Sequence, residues 1–292
     1  MFSQLAIKNE QGDQLTIDLS NPDASYGIVI KKISGIGSPE VDSNISEYVT
    51  VHGGKYGNPH ANTRDIKIEF YLVGSDLETT RIKLYQVFHV SDKVTLYFYN
   101  TYRTLVIEGV VTSNDIDIFT TSRNDFSSAT VKIECPQPFF HGLGETPSVV
   151  ATSYGGLVFP LAINASGVEF SSRSAGGYCY IDNDGDAEVG AIFTMAINDT
   201  QTDNIVITNT TSDMAFTILS TAQLTSGDVV TVSTIPGDKY ITIVRSGDTI
   251  NGLKYMGMKS KWLKLKRGRN EFTITGADMT LSVSANVLYE GV

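Results

Sequence analysis

The pattern that most restricts the fold of this chain is the alternation of apolar and polar residues over short spans. Residues 65–73 are the clearest case, because Ile66, Ile68, Phe70 and Leu72 fall on one face of an extended strand. Segments of similar length recur along the chain, separated by clusters of Gly, Asn, Asp and Ser that are typical of turns. The alternation therefore predicts a mainly β protein.

One segment, residues 75–90, has helical periodicity. Ser75 and Glu78 have the spacing of a capping box, in which each side chain satisfies a free backbone N–H group at the start of a helix. The residues on the predicted buried face are Leu77, Leu84, Tyr85 and Phe88. We therefore expect all-β domains with one α-helix, which lies in the first half of the chain.

The length of 292 residues is typical of about two domains. Pro136, Pro138, Gly142 and Gly144 interrupt the strand pattern and indicate a boundary. We predict a first domain at 1–141, a linker at 142–150 and a second domain at 151–292. The regular short strands of the second domain, which include one predicted at 157–163, favour a β-sandwich or jelly roll.

Charge and composition exclude several classes of protein. The net charge of −10 disfavours nucleic-acid binding, which depends on a positive surface. The longest purely apolar run, at 157–163, is too short to span a membrane, and the N-terminus has no apolar core of signal-peptide length. Cys135 and Cys179 are interpreted as small buried residues in a reducing cytosol, with a disulfide or redox pair as the alternative.

Charge is segregated in the second half. Residues 174–238 contain nine acidic residues and no Lys or Arg, whereas residues 239–269 contain nine Lys or Arg and one acidic residue. If the two segments lie on different faces, copies of the chain would attract one another head to tail. If their strands interleave, the two fields cancel.

The spacings of common catalytic and metal motifs are absent, and we predict no enzyme activity and no cofactor. Asp182, Asp184 and Asp186 offer alternate carboxylates for a calcium ion. Ala187 and Phe193 stand where an EF-hand requires Gly and Glu, so an acidic turn is the preferred interpretation. A β-sandwich glycosidase with two carboxylates is the enzymatic alternative.

Two further groups of residues are candidates for contact with other molecules. Tyr side chains stack on sugars and also pack at subunit interfaces, so they indicate either a glycan or a partner surface. The candidates are Tyr154, Tyr178, Tyr180, Tyr240 and Tyr255. Residues 52–63, rich in Gly, Asn, Pro and His, predict an exposed loop or arm. Its candidate contact residues are His52, Lys55, Tyr56, His60 and Arg64.

The chain carries a series of short motifs in a fixed order. In the first half these are ISGIGSPEV (33–41), SEY (46–48), GGKYG (53–57), RDIKI (64–68), RIKLY (81–85), VTLYF (94–98), IEGVV (107–111) and CPQPFF (135–140). In the second half they are FPL (159–161), NDGDAE (183–188), GDVV (227–230) and SKWL (260–263). This ordered series resembles the distal tail proteins of long-tailed bacteriophages (siphophages). The chain departs from the family at KRGRN (266–270), where Pro-Gly commonly precedes the Asn.

The resemblance implies a structural protein of the virion tail tip, made and assembled in the cytoplasm of a bacterial host. It implies a hexameric ring of N-terminal domains with a tube-protein-like β-sandwich or barrel fold and one helix. The C-terminal domains would be galectin- or carbohydrate-module-like sandwiches. The implied partners are the tail tube protein, the tape-measure protein, a tail-associated lysin or fibre, and a receptor-binding protein.

In such a ring we hypothesise a role for the predicted arm. In a closed ring, one patch of each subunit meets a different patch of its neighbour, and an arm at residues 52–63 is suited to reach across that contact. The alternative function is a sugar-binding adhesion module, in which the second domain touches the host cell wall through its Tyr residues. Neither hypothesis involves a membrane or nucleic acid.

Overall fold

Most of the regular structure is β-strand, and the strands belong to two units. A computed structural model of the chain describes residues 2–19, 27–74, 76–117, 126–143, 146–151, 154–155, 171–172 and 176–292, with the backbone alone at 126, 146–151, 154–155, 171–172 and 176–179. The first unit comprises Met1–Leu143 together with Leu288–Val292, and the second comprises Gly144–Val287. The expectation of a mainly β fold is confirmed.

In its described residues, the first unit has one large antiparallel sheet, two short pairs of strands and one α-helix, α1 (Leu77–Val87). Its strands are β1 (Gln4–Asn9), β2 (Gln14–Asp18), β3 (Ile28–Ser34), β4 (Val41–Asp42), β5 (Ile45–Glu47), β6 (Gly54–Tyr56), β7 (His60–Ala61), β8 (Arg64–Val73), β9 (Lys93–Tyr99), β10 (Thr104–Asp117), β11 (Phe126–Cys135) and β12 (Phe140–Gly142). The sheet order is β2-β1-β9-β10-β11-β8-β3, with β12 added to β10. The outer strands β2 and β3 contact each other, so the sheet curves around its core.

The buried face of β8 is the one that the alternation predicts. Ile66, Ile68, Phe70 and Leu72 are all fully buried, because successive side chains of a strand point to opposite faces and only one face meets the core. Helix α1 packs on this core, where Phe88 lies with its ring centroid 5.8 Å from that of Phe70.

Helix α1 differs from its prediction at the start and on one face. The N-cap is Asp76, whose carboxylate accepts a hydrogen bond from the N–H group of Thr79, and Ser75 lies outside the described residues. Leu84, Val87 and Phe88 are buried as a group, whereas Tyr85 is exposed. The buried face of the helix therefore includes Val87 and does not include Tyr85.

The described part of the second unit has two main antiparallel sheets and two short pairs of strands. Its strands are β13 (Thr146–Ala151), β14 (Tyr154–Gly155), β15 (Ser171–Ser172), β16 (Gly176–Asn183), β17 (Val189–Gly190), β18 (Ile192–Ile197), β19 (Ile205–Asn209), β20 (Met214–Ile218), β21 (Val229–Ile235), β22 (Asp238–Arg245), β23 (Asp248–Asn251), β24 (Lys264–Leu265), β25 (Gly268–Thr275) and β26 (Met279–Ala285). The larger sheet has the order β13-β26-β18-β21-β22-β23, and the smaller has the order β16-β25-β19-β20. Phe193 of the larger sheet and Phe272 of the smaller meet at 5.7 Å between ring centroids, so the sheets pack face to face as a sandwich.

The chain ends in the first unit, in a last strand β27 (Leu288–Tyr289) that pairs with β12. The predicted second domain, 151–292, included this strand. The sequence pattern of 288–292 is too short to show which sheet it joins, because two paired residues leave no periodicity. The strand predicted at 157–163 lies outside the described residues.

Candidate functional site

The first unit carries a hairpin that leaves the sheet between β3 and β8. Strand β4 pairs with β7 at its base, and β5 pairs with β6 toward its tip. The tip is closed by a hydrogen bond from the N–H group of Tyr48 to the carbonyl of Gly53. We call residues 40–61 the arm. It includes residues 52–61 of the segment 52–63 in which the sequence predicts an exposed loop or arm.

Asn44 joins the two pairs of short strands. Its backbone has φ +46°, a left-handed conformation that Asn tolerates, and this bends the chain between β4 and β5. Its side-chain amide donates to the carbonyl of Asn58 at 2.9 Å and lies 3.2 Å from Nδ1 of His60. The N–H group of Gly57 in turn donates to the Asn44 carbonyl at 2.9 Å.

Every residue from 40 to 60 is exposed, including the large hydrophobic ones. These are Val41, Ile45, Tyr48, Val49, Val51 and Tyr56, and Val49 is 100% exposed. An isolated two-stranded hairpin is marginally stable in water. The arm exposes six large hydrophobic side chains in addition.

Four of the five predicted arm residues lie on the arm and are exposed: His52, Lys55, Tyr56 and His60. Arg64 does not. It is the first residue of β8 and only 4% exposed, with its guanidinium bound to backbone carbonyls of the first unit. Arg64 is therefore a residue of the arm's base and not a contact residue, which corrects the expectation.

The predicted Tyr surface of the second unit is not one platform. Tyr180 precedes buried Ile181 in the smaller sheet, and Tyr240 precedes buried Ile241 in the larger, so the two rings project from opposite outer faces of the sandwich. The guanidinium of Arg269 lies 4.1 Å from the ring centroid of Tyr180 and covers it.

Of the other Tyr candidates, Tyr255 has a described side chain. Tyr255 lies in a 3₁₀ turn (Leu253–Tyr255), with the Lys254 ammonium 4.8 Å from its ring centroid. The side chains of Tyr154 and Tyr178 lie outside the described part of the chain. Of the candidates with described side chains, Tyr180 and Tyr240 therefore lie on different faces of the sandwich.

The side chain of Asn183 forms hydrogen bonds within the acidic turn at 182–188 and to the neighbouring chain. Asn183 is buried, accepts a hydrogen bond from the N–H group of Gly185 and donates to the carbonyls of Ala187 and Leu265. Asp182 pairs with Arg269 at 3.1 Å. In the described part of the chain, no three His, Cys, Asp or Glu side chains are grouped closely enough to hold a metal ion.

The acidic and basic segments of the second unit interleave. Three ion pairs join them, with N–O distances of 3.1, 2.7 and 2.8 Å: Asp182–Arg269, Glu188–Lys264 and Asp228–Arg245. Among the six side chains of these ion pairs, only that of Asp228 is buried. The two charge runs therefore partly neutralise each other within one unit, as the second of the two interpretations expects.

Buried Asn side chains near the 264–270 turn were missed by the sequence reasoning. Asn270 donates to the carbonyls of Lys266 and Gly268 and accepts from the N–H group of Lys266 and the amide of Asn209. Asn209 itself donates to the carbonyl of Lys264 at 3.0 Å. An Asn in a turn is common on protein surfaces, so nothing in the sequence shows that these side chains are buried.

Cys135 is a free, fully buried thiol in the first unit. Burial raises the pKa of its thiol to about 12, against a smaller opposing effect of the Arg64 charge. The side chain of Cys179 lies outside the described residues. No helix among the described residues has the length and apolarity needed to cross a bilayer.

Comparison with known proteins gives one family and one shared fold. Residues 184–286 match the sequence model of the siphovirus-type tail component, C-terminal domain. No curated protein matches the sequence. The crystal structure of Dit from phage SPP1, described as a paradigm of the hub adsorption apparatus in phages that infect Gram-positive bacteria, is similar with a TM-score of 0.65 and 12% identity.

The similarity to SPP1 Dit covers 96% of this chain and 98% of that one, so the two proteins share a fold over nearly their whole length. The activated phage P2 baseplate with Ca also matches, with a TM-score of 0.42, 11% identity and coverage of 97% of this chain and 98% of that one. The resemblance to siphophage distal tail proteins is confirmed by the family match and the shared fold.

Proposed function

We propose that this protein is a structural component of a phage tail tip, because residues 184–286 match the model of a siphovirus-type tail component domain. We infer that its copies form a ring hub, with six subunits as in the family, at the distal end of the tail tube. The observation that carries the ring is the arm, whose residues 40–60 are exposed throughout. The role is architectural and requires no catalysis.

An arm of this kind favours a closed assembly. It leaves the sheet at one place, so its acceptor on the next copy is a different surface, and a head-to-tail contact of that type closes into a ring when the rotation permits. Full burial of a Val or Ile side chain contributes about 1.5–3 kcal/mol. Three of the arm's exposed hydrophobic residues are Val and one is Ile, in addition to two Tyr, which is enough to drive association if a neighbour covers them.

The proposed partners are those of a tail hub. They are the tail tube protein, the tape-measure protein, a tail-associated lysin or fibre, and a receptor-binding protein, in a virion assembled in the host cytoplasm. The support is the family match of the second unit together with the fold shared with a phage hub protein.

The test is a shortened arm. Asn44 and Gly57 are already joined by a hydrogen bond across the hairpin, so residues 45–56 are replaced by Asn-Gly, which closes a two-residue turn. This removes β5 and β6 and keeps the β4–β7 base. We expect the wild-type protein to form rings by light scattering and electron microscopy, and the shortened protein to remain monomeric with unchanged circular dichroism.

A matched control replaces Val90 by Thr, since Val90 is also an exposed Val of the first unit but lies outside the arm. This variant should assemble as the wild type does. Rings formed equally well by the shortened protein would refute the role of the arm.

A further inference from the structure

The base of the arm is held by one buried side chain. The Arg64 guanidinium donates hydrogen bonds to the carbonyls of Gly35 and Gly37, each at 2.6 Å, to that of Pro138 at 2.5 Å and to that of Glu290 at 2.7 Å. These carbonyls belong to three segments that are far apart in sequence. One of the segments, residues 35–37, leads into the arm, and Arg64 follows the arm directly.

Only arginine suits this position. Its planar guanidinium offers five N–H donors in fixed directions, whereas lysine offers three donors on one nitrogen. The face of the guanidinium lies 4.6 Å from the ring centroid of Phe140, which fixes its plane. Burial lowers the pKa of Arg64 below its ordinary value, and the carbonyl dipoles around it compensate the charge.

The last residues of the chain complete the base. We call Leu288–Val292 the clasp. Its strand β27 pairs with β12, and the N–H group of Val292 donates to the carbonyl of Ile36 at 3.2 Å. The hydroxyl of Ser38 donates to the Glu290 carboxylate at 3.0 Å. The hydrogen bonds of Glu290 and Val292 are thus both made with residues 36–38, which lead into the arm.

The entry to the arm is also sterically confined. Gly35 has φ +84°, and a Cβ atom there would lie 2.0 Å from the carbonyl oxygen of Asp65. A Cβ atom on Gly291 of the clasp would lie 3.1 Å from the carbonyl oxygen of Ile36. Backbone from both ends of the arm and from the clasp is therefore in direct contact at this point.

We propose that the clasp sets the direction of the arm, with Arg64 as the positioning residue that joins the two. The arm has no buried residue between 40 and 60, so its own side chains do not hold it against the first unit. The clasp reaches the first unit only after the chain has passed through the second, so the arm's direction depends on a segment more than 220 residues away in sequence. The consequence for ring closure rests on the proposed function, but the direction of the arm does not.

The test measures the arm's direction within one subunit. Spin labels are placed at Val49→Cys, at the arm's tip, and Gln86→Cys, on the exposed side of α1, in a Cys179→Ser background. The labelled protein is diluted with unlabelled protein so that only distances within a subunit contribute. We expect a narrow distance distribution in the otherwise wild-type protein, and a distribution at least twice as wide after Arg64→Lys or deletion of residues 288–292.

Two further variants separate positioning from stability. Asn114→Ala removes a hydrogen bond from the Asn114 amide to the Phe88 carbonyl, far from the arm in the fold, and should lower thermal stability without widening the distribution. Gly291→Ala keeps every core residue. It should give a distance distribution whose width lies between those of the wild type and Arg64→Lys. Unchanged widths in folded Arg64→Lys and Gly291→Ala proteins would overturn the proposal. If the wild-type protein forms no rings but its distribution is narrow and widens after Arg64→Lys, the clasp is supported and the ring is refuted.

Discussion

Val49 at the tip of the arm provides the sharpest test of the assembly surface. Its side chain is 100% exposed, so it makes no contribution to the stability of the isolated subunit and all of its apolar surface is available to a neighbour. Replacement by Thr keeps the shape and removes most of the apolar character. Burial of a Val is worth about 1.5 kcal/mol or more, and about 1.4 kcal/mol is a tenfold change in an equilibrium constant.

We therefore expect Val49→Thr to weaken each contact between subunits about tenfold. Sedimentation velocity over a range of protein concentrations measures this as a shift of the assembly midpoint to higher concentration. Thermal unfolding at low concentration should be unchanged, because the subunit itself loses no contact. If the midpoint does not move, Val49 is not buried in the assembly and the arm's tip is not part of the interface.

Three further predictions concern the two units separately. Asn270→Ala removes four hydrogen bonds of a buried side chain and should destabilise the second unit by about 3 kcal/mol, measured by urea unfolding with the fluorescence of Trp262, the one Trp of the chain. Asp228→Asn should lower the free energy of unfolding of the second unit by about 2–3 kcal/mol at pH 7. Burial alone would raise the pKa of Asp228, but the hydrogen bonds from Arg245 and Thr225 outweigh this effect and lower the pKa. The carboxylate's contribution is present above the unfolded pKa of about 4 and is lost as pH falls through the lower folded value, so wild type and variant should converge in acid unfolding. Cys135 should not react with a thiol reagent at pH 8 until the first unit unfolds, because its pKa of about 12 leaves almost no thiolate. A fast reaction of the native Cys179→Ser protein would contradict the burial of Cys135.

Some of the fold was predictable from the sequence because the signal is local. The faces of β8 follow from a period of two, since a shift by one residue would place Ile66 and Ile68 in water. The helix was predicted for the same reason, although its cap and buried face were placed with less accuracy. Asp76 accepts the capping hydrogen bond, and Tyr85 is exposed because the helix presents Val87 to the core instead.

The candidate site was predictable only in part. A segment rich in Gly, Asn and His that lacks alternation is predicted to lie outside the core. His52, Lys55, Tyr56 and His60 are indeed all exposed on the arm. Arg64 was grouped with them because it follows in sequence. Its burial depends on carbonyls at Pro138 and Glu290, which no local pattern shows.

The charge runs of the second unit show the same limit. A count along the chain separates acids from bases, but strand pairing places β16 beside β25 and so brings Asp182 to Arg269. Whether two segregated segments attract neighbours or neutralise each other depends on which strands are adjacent. That adjacency is a property of the tertiary structure.

The amino-acid sequence by itself determined that this chain would form strands around apolar cores, with one helix and one segment excluded from them, because side-chain alternation acts over a few residues. Tertiary structure decided which distant segments meet: the return of Leu288–Val292 to the first unit, the carbonyls around Arg64 and the contact of Asn209 with Asn270. Hydrogen bonds between residues more than 200 positions apart leave no periodic trace in a sequence, since either partner would look the same in a solvent-exposed loop.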